Sequence, residues 1–288
     1  MAVYERRLWP YPGALILRRW RFLVVARYAR REVFRSRLAI AFFALCLAPV
    51  LGAALYVYLL HNLDLLVAMG ANASPARLPT ADATFFSYGL RCQGALAFLL
   101  AVFVGPGLIS PDLADNALPL YLSRPISRAE YVLGKLAVLV AVLSAVTWVP
   151  LALLALLDAT LTDGPWLADH ARALGAVFAG AWVWILVVAL LTLALSAWVR
   201  WKILAAALLV AVFFVTRALG ALINATFGTF WGDLINPSKL IVSVWDQLFF
   251  GATRSAVPAA AAWGALLALT ALCLLLLNRK LRAYEVVR

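Results

Sequence analysis

Gly105-Pro106-Gly107-Leu108-Ile109-Ser110-Pro111-Asp112-Leu113-Ala114-Asp115-Asn116-Ala117-Leu118-Pro119-Leu120-Tyr121-Leu122-Ser123-Arg124-Pro125-Ile126-Ser127-Arg128-Ala129-Glu130-Tyr131-Val132-Leu133-Gly134-Lys135 decides how this chain is built. An apolar run ends near Ile109, a short polar-tipped helix follows, and a second capped start opens another apolar run. Ser110 reads as an N-cap, Pro111 suits the first turn, and Asp112 and Asp115 face the positive end of the helix. Leu113, Ala117 and Leu118 would share one face of this helix, shaped to seat in a partner's cleft. Pro119 stops regular hydrogen bonding. Ser127-Arg128-Ala129-Glu130 then reads as a capping box, with Pro125 blocking helix just upstream.

The apolar runs on either side are long. Hydrophobic residues make up 66% of the 288, and charged residues only 13%, at a mean hydropathy of +0.95. Soluble domains average roughly half apolar and a quarter charged, so the composition is that of an integral membrane protein. Crossing the hydrocarbon takes about 20 apolar residues in a helix. Six runs meet that length: 38–60, 85–109, 132–157, 173–199, 203–223 and 258–277. They are continuous rather than alternating, which excludes a β-barrel. The expected fold is an all-α integral membrane protein with six transmembrane helices in a single domain over 38–277. An N-terminal segment 1–37 and a tail 278–288 flank it. About 37 polar-to-mixed residues precede the first run, which is also too long for a cleavable signal.

Basic residues orient the spans. Of the 25 Lys and Arg, 19 fall on the side of the termini, and only Arg77, Arg91, Arg172, Arg217, Lys239 and Arg254 on the other. The positive-inside rule makes both termini cytoplasmic. The net charge of +12 is then a signal of orientation and lipid headgroups, with no nucleic-acid partner implied. Within residues 18–37, Arg27, Arg31 and Arg35 recur every four residues, while Phe22, Ala26, Ala29 and Val33 form another stripe. This reads either as an amphipathic interface helix on the inner membrane face that also touches a cytoplasmic partner, or as a basic tail that sets topology.

The segment 224–257 is external by topology yet dense in aromatic and aliphatic residues, Trp231 and Trp245 among them. It should dip into the outer leaflet or pack on the tops of the spans. Asn236-Pro237-Ser238 would break it into two short helices, with Ser238 capping the second. Arg91 and Arg217 lie inside spans, toward their outer ends. They either snorkel to headgroups or line an exit vestibule, with Asp233 and Asp246 as partners. Gly228-x-x-x-Gly232, Gly175/Ala179 and Ala260/Gly264 could allow close helix packing. Cys46, Cys92 and Cys273 are isolated in spans and read as small buried hydrophobes. Asp158 falls in a brief external loop, and His61 and His170 read as surface residues.

The string Leu122-Ser123-Arg124-Pro125-Ile126-Ser127-Arg128 followed by Glu130-Tyr131-Val132-Leu133-Gly134-Lys135 resembles the first cytoplasmic loop of ABC-2 type transporter permeases. The resemblance implies that 110–118 is a coupling helix docking on a cytoplasmic ABC ATPase subunit, with Asp112, Leu113, Asp115, Ala117, Leu118, Arg124 and Arg128 in the contact. It also implies an interface helix before span 1 and short re-entrant outer helices before span 6. The chain has no G-x-x-x-x-G-K-S/T phosphate loop, so ATP and Mg would be bound by the partner and no cofactor by this chain. It likewise shows no H-E-x-x-H, no G-x-S-x-G and no metal-ligand spacing. The expected role is a permease subunit exporting a substrate, paired with a second permease copy or paralogue and in contact with membrane lipids. A periplasmic partner is open, and the residue usage points to a bacterial inner membrane. Two rival readings stay open: a multispan enzyme acting on lipids, and a non-transporting anchor of an ATPase complex.

Overall fold

A computed structural model of the chain describes residues 20–62, 80–117, 121, 127–162, 164–253 and 256–282. Six helical stretches in it are long and apolar enough to cross a membrane: Arg37–His61, Ala83–Ala114, Arg128–Leu161, Ala171–Trp198, Lys202–Phe227 and Ala259–Lys280. Among the described residues there is no strand. This is an all-helical, multi-pass membrane protein, as helices alone satisfy their own backbone in lipid.

Helix α1 (Arg21–Val33) precedes span 1, which is α2 (Arg37–His61). Ser36 starts α2 by accepting from the Ala39 amide at 3.4 Å. Span 2 is two helices, α3 (Ala83–Val104) and α4 (Pro106–Ala114). The joint falls at Gly105-Pro106, because Pro106 has no N–H to continue the ladder. A side chain at Gly105 would collide with Thr192 of span 4. The short helix therefore begins at Pro106, and Ser110 sits inside it rather than capping it. Span 3 is likewise divided, into α5 (Arg128–Val146) and α6 (Trp148–Leu161), at Thr147. The Ser127–Glu130 capping box is formed at the start of α5. A short helix α7 (Trp166–Asp169) leads to span 4, α8 (Ala171–Trp198), and then to span 5, α9 (Lys202–Phe227). A 3₁₀ turn (Trp231–Ile235) and α10 (Pro237–Phe250) come next, before span 6, α11 (Ala259–Arg282).

Span 4 is the central post. Its most apolar window is 61% buried, against 6% for span 1, and it packs on α3, α4, α5, α9, α10 and α11. Span 1 touches mainly α3 and α6 and leaves Leu38, Leu51 and Leu55 exposed on an apolar outer face. Spans 2 and 3, at 56% and 50%, are nearly as buried as span 4, so these three form the inside of the bundle and spans 1, 5 and 6 a lipid-compatible rim.

Helix α10 is inside the bundle, packed on α8, α3 and α11. Leu240, Ile241, Val244, Trp245 and Phe249 are all buried on it. Trp245 Nε1 donates to the Gly180 carbonyl at 2.9 Å, and Trp184 Nε1 to the Gly94 carbonyl at 3.0 Å. The two indoles meet edge-on at 6.1 Å. Trp231, in contrast, is 53% exposed. The break before α10 lies at Asn236-Pro237, but Asn236 rather than Ser238 caps it, accepting from the Ser238 and Lys239 amides.

Of the glycines that the sequence spacing singled out, only Gly232 makes a close packing contact. Gly175 and Gly264 face open space, and Gly228 is a left-handed helix end at φ 61°. The tight places are Gly94 and Gly180 against Trp245, Gly134 against α1, and Gly220 against Gly232, where backbones touch. Two other expectations are corrected. Cys92 is exposed, while Cys46 and Cys273 are buried. Asp158 is a buried residue of α6 rather than of a loop, with His61 Nε2 at 3.6 Å and bonded at 3.0 Å to Thr162 Oγ1.

Candidate functional site

At one end of the bundle, the first turns of span 2 approach the last turns of span 5, and the 3₁₀ turn and α10 close the gap. The result is a cavity of about 610 Å³ lined by Thr84, Ser87, Tyr88, Arg91, Arg217, Asp233, Asn236, Ser238, Lys239, Val242, Asp246, Phe250 and Ala256. All four residues singled out as a possible exit pathway, Arg91, Arg217, Asp233 and Asp246, line it.

Their pairing is specific. Arg91 Nη2 meets Asp246 Oδ1 at 2.5 Å, with the Asp246 side chain 5% exposed. Asp246 reaches this position because α10 is drawn inward by Trp245, its neighbour in sequence. Arg91 Nε is buried with no hydrogen-bond partner. Asp233 Oδ1 accepts from Lys239 Nζ and Asn224 Nδ2, both at 2.8 Å. Asn224 Oδ1 in turn accepts from the Gly232 amide at 2.8 Å, fixing the 3₁₀ turn on span 5. Arg217 has neither a hydrogen bond nor an ion pair among the described residues. Lys239 was not among the residues singled out. It lies six positions after Asp233, across a Pro turn, a spacing that no helical period marks.

A second pocket of about 320 Å³ adjoins this one and shares Arg91, Arg217, Ser238 and Val242 with it. Its remaining walls are Gly94, Ala95, Phe98, Trp184, Phe213, Phe214, Ile241 and Trp245. One end of the combined space is charged and the other is aromatic.

The opposite end of span 2 carries the stretch quoted first. Asp112 Oδ2 accepts from Tyr131 Oη at 2.6 Å and from Lys135 Nζ at 2.8 Å. Lys135 is 2% exposed, so its charge is matched within the chain rather than offered to a partner. Ser110 and Ser196 clamp α4 to α8: the Ser110 amide donates to Ser196 Oγ at 3.0 Å, and Ser110 Oγ to the Ser196 carbonyl at 3.1 Å. Leu113 is 2% exposed, packed in the core. The docking face expected at Leu113, Ala117 and Leu118 is thus not presented by Leu113, because α4 is turned with that residue inward. Ala117 is half-buried, Asp115 is exposed, and Arg128 is half-buried in the first turn of α5. Leu118 and Arg124 lie outside the described residues.

Helix α1 lies across the start of span 3. Val25 and Ala29 are buried, and Gly134 of α5 sits directly under Val25 and the Phe22 carbonyl. The apolar stripe of α1 is therefore applied to span 3. Arg27, Arg31 and Arg35 remain exposed. No protein-family model matches the chain, and no curated protein matches it either.

Proposed function

We propose that the chain is the membrane-spanning subunit of an ATP-driven transporter of ABC-2 type, moving a substrate through the charged cavity. The observation that carries this reading is the cavity of about 610 Å³, walled by two spans and a helix folded back between spans 5 and 6. Buried ion pairs are costly to assemble in a membrane bundle and usually mark a pathway or site. At the other end of the same span 2 lies the loop that resembles the ABC-2 coupling loop. The chain carries no phosphate-binding loop of its own, so its energy source would be a separate ATPase.

In this reading the inner-membrane orientation follows the basic asymmetry, with both termini cytoplasmic, and two membrane subunits meet two ATPases. Motion at the α4–α5 junction would reach the cavity through span 2. The Ser110–Ser196 and Asp112–Lys135 contacts make that junction stiff enough to transmit it. Asp115 and Asn116, exposed just after α4, are the portion left to meet the ATPase.

The test is association. The full chain, purified from native membranes, should bring with it an ATPase that bears G-x-x-x-x-G-K-S/T and has no spans of its own. Leu118→Asp should weaken that association tenfold or more, about 1.4 kcal/mol per factor of ten. Folded Leu118→Asp protein that retains full association and coupled hydrolysis would remove this loop as the coupling element.

A further inference from the structure

We infer that the cavity and its adjoining groove together receive an amphiphile with an anionic headgroup, the headgroup on Arg217 and the chain along Phe98, Phe213 and Trp184. The purpose of that binding rests on the transport reading; the ligand chemistry rests on the geometry alone.

Charge sets the headgroup. Among the described residues the cavity holds three cations, Arg91, Arg217 and Lys239, and two carboxylates, Asp233 and Asp246. Asp246 is taken by Arg91, and Asp233 by Lys239 and Asn224. Among the described residues, Arg217 is the cation left over. It lies 15 residues after the start of α9, about 22 Å along a helix that rises about 1.5 Å per residue. That depth is within a hydrocarbon layer of about 30 Å, where an unmatched guanidinium is costly. A phosphate or carboxylate answers it, because the planar guanidinium fork takes such groups in a bidentate way. The hydroxyls of Thr84, Ser87 and Tyr88 on the facing wall supply further donors. A cationic headgroup would find both carboxylates already engaged.

Shape sets the rest. The apolar pocket of about 320 Å³ adjoins the charged one, and Arg217 is among the four residues that line both. Phe98 and Phe213 pack there at 4.6 Å, and Trp184 closes on Phe213 at 5.9 Å. A small soluble anion would fill the charged end and leave these rings uncovered. An acyl or prenyl chain attached to the anion covers them.

The test uses the full-length chain in phosphatidylcholine nanodiscs, with phosphatidylglycerol added as the anionic probe, either lipid carrying brominated acyl chains. Bromine quenches tryptophan on contact, and Trp184 and Trp245 line the groove. Brominated phosphatidylglycerol should quench at a mole fraction at least fivefold lower than brominated phosphatidylcholine. Arg217→Gln should abolish that preference and Arg217→Lys should keep part of it. Arg200→Gln, an exposed basic change outside the cavity, should leave it intact. Ala95→Phe, which narrows the groove without touching a charge, should also remove the preference; it serves where Arg217→Gln does not fold. Equal quenching by both lipids, or a preference that survives Arg217→Gln in folded protein, overturns the inference. So does loss of preference in Arg200→Gln, which would mean general surface attraction. Millimolar inorganic phosphate that erases the preference would assign the site to a free anion and also overturn it. Lost preference with intact ATPase association sinks this inference alone; retained preference with no ATPase association sinks the transport reading alone.

Discussion

At the scale of single residues, the Asp112–Lys135 pair is the clearest case of chemistry that decides a structure. Lys135 stands about two turns inside an apolar helix, and its side chain is 3% exposed. Left alone it would carry an uncompensated charge into the bundle. Asp112, 23 positions earlier, supplies the countercharge, and Tyr131 donates to the same oxygen at 2.6 Å. Breaking a buried pair by removing one partner costs about 3–5 kcal/mol, whereas replacing both with apolar groups is often neutral. Asp112→Leu should therefore lower the thermal unfolding midpoint of the detergent-solubilised protein sharply. Asp112→Leu combined with Lys135→Met should recover most of the loss. A double variant as unstable as the single one would mean that the pair is held for some reason other than mutual neutralisation. None of this pairing is visible in residue order, because the loop between the two positions sets their separation. The sequence shows Asp112 only as an acid near a helix start.

At the scale of elements, the placement of α10 governs the cavity. Its aromatic density marks it as shielded, and the Asn236-Pro237 break marks where it starts. Those features are readable because they are local: a proline, a cap and a run of large apolar groups. Where the helix goes is not local. It enters the bundle because Gly94 and Gly180, on different spans, leave room for Trp245. A Cβ at Gly180 would lie 2.8 Å from Trp245 Cδ1, closer than such contacts tolerate. Gly180→Ala should thus cost about 1–3 kcal/mol through overpacking and tilt α10 outward, weakening the Arg91–Asp246 contact. Gly175, on the same span, has nothing within 4 Å of an added Cβ. Gly175→Ala should be neutral or stabilise by up to about 1 kcal/mol from helix propensity. Thermal unfolding of both variants checks the contrast, and equal behaviour would mean that Trp245 does not hold α10. The kinks of spans 2 and 3 show the same limit. Continuous apolar runs announce six crossings, but the α3–α4 joint depends on Thr192 facing Gly105 across the bundle, a contact between distant positions. The Ser110 cap fails as a reading for that reason: Pro106 begins the helix one turn earlier, and Ser110 is then used to bind Ser196.

At the scale of the whole molecule, the charged cavity and the Asp112–Lys135 junction lie at opposite ends of span 2, so the direction of insertion decides what each can meet. Nineteen of the 25 Lys and Arg residues fall on the junction's side. Basic residues near span ends are held on the cytoplasmic side during insertion, so the proposed orientation has the junction inside and the cavity outside. Thr80, just before α3, and Ala129, in the first turn of α5, are both exposed and lie at these two ends. A background with Cys46, Cys92 and Cys273 replaced by alanine removes the native thiols, of which the exposed Cys92 would otherwise compete. In intact cells, Thr80→Cys should react with a membrane-impermeant thiol reagent, while Ala129→Cys should react only after permeabilisation. The reverse pattern would put the cavity in the cytoplasm and the basic ends outside. Helix α1 with Arg27, Arg31 and Arg35 would then face away from the anionic inner leaflet, and no cytoplasmic ATPase could reach Asp115. Labelling of the two sites therefore tests orientation and coupling together, because the same charge asymmetry underlies both.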